Sequence, residues 1–205
     1  QSFINFLYRK FGRVFIVMPY YEGTTLCERT RLDSLKPEEA LDIAIQIADG
    51  LRAAHKKGIV HCDVTTKNIL VLQGRSDSAG CVKIIDFGLA ATGGFDELET
   101  IGSTGGTIPY MSPEQVRGEC LDPRTDIWSL GVILYEMLTG RLPFHYEHRE
   151  ATLYAILNLS QPNVHSLVRE IPVQLSQIIE QCLQKEPGDR YQDAETLLTD
   201  LRRER

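Results

Sequence analysis

The stretch His61-Cys62-Asp63-Val64-Thr65-Thr66-Lys67-Asn68 sets an acid and an amide five residues apart in a polar segment. Apolar runs flank it, Gly58-Ile59-Val60 ahead and Ile69-Leu70-Val71-Leu72 behind. A polar loop pinned at both ends by buried chain holds a reactive group in one place. A second acid, Asp86 of Asp86-Phe87-Gly88, comes eighteen residues after Asn68 and follows the apolar run Val82-Lys83-Ile84-Ile85. Two carboxylates and an amide at strand ends suit Mg²⁺, which takes a few oxygen ligands and completes its shell with phosphate. Taken singly, His-x-Asp and Asp-Phe-Gly are more often a loop and a strand end than catalytic groups.

Order and spacing separate the two readings. Downstream come Gly106-Thr107-Ile108-Pro109-Tyr110-Met111-Ser112-Pro113-Glu114, then Asp126-Ile127-Trp128-Ser129-Leu130-Gly131, then Asp189-Arg190. In that series the chain resembles the eukaryotic-type serine/threonine protein kinases. Asp122-Pro123-Arg124-Thr125-Asp126 and Met111-Ser112-Pro113-Glu114-Gln115 look like the bacterial members.

The resemblance implies a set of roles. ATP and Mg²⁺ would be the cofactors and a protein Ser/Thr hydroxyl the acceptor. Asp63 would accept or orient the proton of that hydroxyl, and Thr107 would hydrogen-bond Asp63 and set the acceptor site. Asn68 and Asp86 would hold the metal against the nucleotide phosphates. Met18 would guard the back of the nucleotide pocket, the backbone of Pro19 and Tyr21 would meet the adenine edge, and Leu70 would pack beneath the base. Met18 taken alone reads better as a packed strand residue. Glu114 and Arg190 match a buried pair that anchors the activation segment, against the plainer reading of two unrelated surface charges.

Three departures from the family pattern bear on activity. Thr65 stands two after Asp63, where serine/threonine kinases carry a Lys that touches the transferred phosphate; Lys67 is placed to supply that charge instead. The Gly106-Thr107-x-x-Tyr110 spacing keeps the serine/threonine form of the substrate loop. Cys62 stands where the family has an Arg that pairs with a phosphorylated activation loop, so a phosphate on Thr100, Ser103 or Thr104 would find little cationic reward. Cys62 itself reads as a reactive thiol or, more commonly, a buried inert one. The third departure is the absence of a Gly-rich phosphate loop, a strand Lys and its Glu partner, about the first third of a kinase domain. The expectation is a fragment of a longer protein or a truncated product, a poor nucleotide binder alone, with apolar sheet surface left open. A non-catalytic, pseudokinase-like scaffold is the rival reading. A small-molecule phosphotransferase is disfavoured by the protein-substrate loop.

The elements that must position these groups follow from patterning. Phe3 to Leu7 and Val14 to Tyr20 read as a hairpin joined through Arg9, Lys10 and Gly12. Pro37-Glu38-Glu39 opens a long helix whose Leu41, Ala44, Ile45, Ala48 and Leu51 share one face, with Gly58 ending it. Ile69 to Leu72 and Cys81 to Ile85 read as a strand pair across the polar turn Gly74 to Ser78. Asp126 to Leu138 is apolar nearly all round, which places it mid-core. Gly140 and Pro143 stop it, and helical stretches follow around Glu150 to Leu157, Val173 to Leu183 and Ala194 to Leu201. The fold class is α+β, predominantly α: a kinase-like C-lobe with the last two N-lobe strands and the hinge. Residues 1–20 would end the N-lobe and 21–205 form hinge and C-lobe.

Composition agrees. Hydrophobic residues make 42% of the 205 and charged residues 24%, in the range of globular domains. The net charge of −6 with no basic stripe argues against a nucleic-acid partner. The five cysteines are scattered without zinc or redox spacing, which fits reduced thiols in the cytoplasm. No run reaches membrane-span length within this segment, which leaves room for an anchor elsewhere in a longer protein, and the opening Gln leads to the expectation that residue 1 is not a natural translation start.

Overall fold

The computed structural model describes residues 19–31, 34–72, 80–87 and 108–205, together with the backbone of 6–10 and 13–17. Strands β1 (Phe6–Lys10) and β2 (Arg13–Val17) form an antiparallel pair in register from Phe6↔Val17 to Lys10↔Arg13. The hairpin is where the sequence places it, but the ladder continues through Arg9 and Lys10. Main-chain pairing does not require apolar side chains, so the strand outruns the apolar pattern. Beyond β2, Pro19 has no N–H with which to prolong a ladder. Met18, Gly88, Thr100, Ser103, Thr104, Thr107 and the Gly74 to Ser78 turn lie outside the described residues.

The expected hinge contains a further short strand, β3 (Gly23–Thr25). It pairs with β4 (Ile69–Leu72), which pairs with β5 (Cys81–Ile84), giving an antiparallel sheet in the order β3-β4-β5. Gly23 is required at its position, because a Cβ there would stand 2.6 Å from the Val71 carbonyl oxygen. Three residues carry no readable period, so only the partner strand makes this segment a strand. The outer edge of β5 is closed by Gln46, whose Nε2 donates to Gly80 O at 3.0 Å and whose Oε1 accepts Val82 N–H at 2.9 Å.

Helix α1 (Leu26–Thr30) follows, opened by a capping box between Thr25 and Glu28. Helix α2 (Pro37–His55) comes next. Its chain turns at Gly58, φ 72°, where the Gly58 and Ile59 N–H groups return to His55 O and Ala54 O at 2.9 and 3.1 Å. After the polar loop and sheet come α3 (Pro113–Arg117) and α4 (Pro123–Thr139). Then follow α5 (Arg149–Asn158), α6 (Val164–Leu167), α7 (Val173–Cys182) and α8 (Ala194–Arg203).

The α4 helix is the core. Ile127, Trp128, Val132, Ile133 and Met137 are fully buried, each contributing about 1.5–3 kcal/mol of apolar transfer. Helices α2 and α7 pack on it, and Gly131 lets α7 approach closely. The buried face of α2 is wider than one stripe, taking in Ile43 and Ile47 beside the five expected residues, because α4, α8 and β5 all cover it. Among the described residues no helix is long and apolar enough to cross a membrane. The fold class read from the sequence is the one observed.

Candidate active site

The loop that leaves Gly58 is gripped by Asp126, a buried carboxylate in the first turn of α4. Its two oxygens accept the N–H groups of His61 and Cys62, both at 2.9 Å, and His55 Nε2 lies 2.8 Å from Oδ2. From the other side, Gln115 Nε2 donates to Cys62 O at 2.6 Å. Between these holds Cys62 sits at φ 63°, a left-handed conformation that a non-glycine residue keeps only when its surroundings over-determine it. Burial first, then the charges of Asp126 and Asp63, push its thiol up to about 12. That shift favours the inert reading of Cys62 over the reactive one.

His61 joins this loop to the segment after β5. The Asp63 N–H can only donate, so His61 Nδ1 accepts it at 3.2 Å and Nε2 carries the proton given to Ile85 O at 3.1 Å. The imidazole also packs on Phe87, ring centroids 4.4 Å apart. A single 3₁₀ turn over Thr66–Asn68 then brings Asn68 back onto Asp63. Asn68 Nδ2 donates to Asp63 O at 2.9 Å and to Oδ2 at 3.0 Å, while Asn68 O accepts Ile85 N–H at 2.9 Å.

The other Asp63 oxygen, Oδ1, is buried and has no hydrogen-bond partner among the described residues. A buried acceptor left open in this way costs free energy unless water or a ligand satisfies it. Burial pushes the Asp63 carboxyl above its ordinary range; Asn68 and Lys67 draw it down and Asp86 adds to the rise. Asp86 is exposed and holds φ 60°, a second left-handed non-glycine residue beside the same loop.

The structure thus brings together Asp63, Asn68 and Asp86. Thr65 is buried and Lys67 exposed beside them. Leu70 lies on the central strand, paired with Thr25 on one side and Lys83 on the other. Tyr21 reaches the same sheet, with Lys83 Nζ 4.8 Å from its ring centroid, whereas Pro19 is exposed. Met18 and Thr107 cannot be placed, lying outside the described residues.

Glu114 and Arg190 meet in a buried fork, with bonds of 2.7 and 2.8 Å. The remaining Arg190 donors reach Gln184 O, Arg124 O and Lys185 O, and Thr125 adds a bond to Glu114 at 2.7 Å. Burial works against the Glu114 charge, but the Arg190 and Thr125 bonds outweigh it and hold the carboxyl below its ordinary range. The plainer reading of two surface charges is excluded.

Asp126, His55 and Gln115 were not assigned roles from the sequence. One signal was available: an acid opening a helix that is apolar on every side must be buried, and a buried carboxylate must find donors.

Comparison with known proteins places the chain in a family. The family model for the protein kinase domain matches residues 3–200. A probable serine/threonine-protein kinase of Clostridium perfringens is 37% identical over 190 residues, covering 91% of this chain and 27% of that protein. Serine/threonine-protein kinase PrkC of Bacillus subtilis is 36% identical, with 92% and 28% covered. Serine/threonine-protein kinase PknL of Mycobacterium tuberculosis is 36% identical, with 91% and 46% covered. The chain spans less than half the length of these bacterial relatives. Family match, helical C-lobe and the Asp63, Asn68 and Asp86 grouping converge, and the chain belongs to the protein kinase domain family.

Proposed function

We propose that this chain is the hinge and C-lobe, with the last two N-lobe strands, of a cytoplasmic kinase that transfers phosphate from ATP to Ser/Thr hydroxyls of proteins. The observation that carries this reading is the buried Asp63 Oδ1 beside Asn68, without a hydrogen-bond partner among the described residues. That oxygen is free to accept the proton of an incoming hydroxyl, and a carboxyl whose pKa is raised towards neutrality is a better base. The Asn68 amide turns its N–H to Asp63, which leaves its oxygen as a metal ligand.

Asp86 and the Asn68 oxygen are hard donors that fit Mg²⁺, whose remaining ligands would come from phosphate and water. When bound, Mg²⁺ would neutralise charge on the transferring phosphoryl group. Lys67, exposed and near enough for its charge to bear on Asp63, would supply the cation that Thr65 cannot. Leu70 would pack beneath the adenine, the backbone of Pro19 and Tyr21 would meet its edge, Met18 would guard the back of the pocket, and Thr107 would set the acceptor hydroxyl against Asp63. With Cys62 in place of the family's Arg, activity would depend weakly on phosphorylation of Thr100, Ser103 or Thr104.

The test is labelled-phosphate transfer from ATP with Mg²⁺ to a Ser/Thr protein substrate by the full-length protein, beside its Asp63→Asn form. Transfer abolished in Asp63→Asn supports the reading. Nucleotide binding without transfer in either form would favour a scaffold.

A further inference from the structure

Thr66 lies in the turn between Asp63 and Asn68 and is buried. Its hydroxyl is 2.8 Å from the hydroxyl of Tyr110, which is 2.5 Å from Glu136 Oε2. Tyr110 closes the short turn Ile108–Tyr110 in the stretch assigned to the substrate loop, and Glu136 stands near the C-terminal end of α4. The order of donors follows from chemistry. An ionised carboxylate only accepts, so Tyr110 donates to Glu136 and its oxygen accepts the Thr66 proton. Burial, and then the neighbouring Glu136 charge, raise the Tyr110 hydroxyl far above its ordinary range, so it keeps the proton it donates.

The same helix therefore holds both partners. The start of α4 grips His61 and Cys62 through Asp126; further along, Ser129 donates to Tyr110 O at 3.0 Å and Glu136 takes the Tyr110 side chain. Thr66 adds a direct bond from the catalytic turn to the substrate segment. A buried chain with each member satisfied favours one arrangement over its neighbours.

We propose that Thr66 is a positioning residue: its hydroxyl, relayed through Tyr110 to Glu136, seats the catalytic turn and the substrate segment against each other. The effect on rate rests on the phosphotransfer reading above; the coupling of the two segments does not.

The test compares the full-length protein with its Thr66→Val, Thr66→Ser, Tyr110→Phe and Thr66→Val/Tyr110→Phe forms. Removing the hydroxyl lowers kcat about tenfold, raises KM for the protein substrate a few-fold and leaves KM for ATP within about twofold. Thr66→Ser restores kcat, and the double variant is no worse than either single one, as expected for one shared interaction. Amide exchange supplies a readout independent of turnover. The N–H groups of Asn68 and Met111, bonded to Thr65 O and Ile108 O at 2.9 and 3.0 Å, lose protection together in Thr66→Val. If the wild type transfers no phosphate yet this joint loss is seen, the positioning link stands and the phosphotransfer reading fails. Unchanged protection at Met111 in Thr66→Val, or wild-type kcat and KM in an active protein, overturns the proposal.

Discussion

The guanidinium of Arg190 faces Glu114 as a two-pronged fork, and all five of its N–H donors are occupied, two by Glu114 and three by backbone carbonyls. The fork ties α3 to the chain ahead of α8 and closes around Thr125 at the entrance to α4. A lysine there keeps the charge but offers three donors from one point and no planar fork. Arg190→Lys should therefore cost about 3–5 kcal/mol, the scale for disrupting a buried pair. Urea denaturation of both forms measures it, and a loss below about 1 kcal/mol would show the fork to be dispensable.

The same pair sets an acid sensitivity. Burial opposes the Glu114 charge, yet Arg190 and Thr125 hold the carboxyl below its ordinary value of 4.5. A carboxyl depressed on folding contributes stability above its unfolded value, and that contribution is lost as pH falls towards the folded value. The stability gap between wild type and Glu114→Gln should be full at neutral pH and narrow below about pH 4.5. A gap independent of pH down to about 3 would mean that Glu114 is not ionised in the native state.

Asp126→Asn should loosen the loop at His61 and Cys62 while keeping a side chain of the same size at 126. An amide oxygen can replace one carboxylate oxygen, but its NH₂ then confronts the second of the His61 and Cys62 donors. The expected cost is about 1–3 kcal/mol, with faster amide exchange at His61 and Cys62. Unaltered exchange there would place the hold on the loop elsewhere.

Gly131→Ala tests the crossing of α4 and α7. An added Cβ would stand 2.6 Å from Cys182 Cβ, and overpacking of this kind costs about 1–3 kcal/mol. Adding Cys182→Ala should give no relief, because the clash is with the Cβ that alanine retains. Rescue by that second change would assign the contact to sulfur instead.

Cys62 should resist alkylation in the folded protein at neutral pH, since burial and two nearby carboxylates keep it a thiol. The exposed Cys81 and Cys120 should be labelled first. Peptide mapping after a short maleimide pulse reads the order, and early labelling of Cys62 would contradict its placement.

Local chemistry carried much of this protein in its sequence. The α4 helix was legible because a long apolar run without a polar face has only a core to occupy, and α2 because Pro37, two acids and one apolar stripe mark start and face. The grouping of Asp63, Asn68 and Asp86 was legible as motif order. The short helices α1 and α3 carry their signal in the boxes Thr25/Glu28 and Ser112/Gln115, which are local to the chain.

Other features had no local signature. Gly23-Thr24-Thr25 is a strand because β4 lies beside it. Asp126 and Asp63 are the same residue type in the sequence. Packing gives one of them three partners and makes it a clamp, and leaves the other a buried oxygen with none among the described residues. Thr66 reads as a loop residue until Tyr110 and Glu136 are brought to it. Side-chain period and capping act over a few residues and so can be read along the chain. Whether a buried polar atom is satisfied depends on partners tens of residues away, and only the packed structure determines which partners arrive.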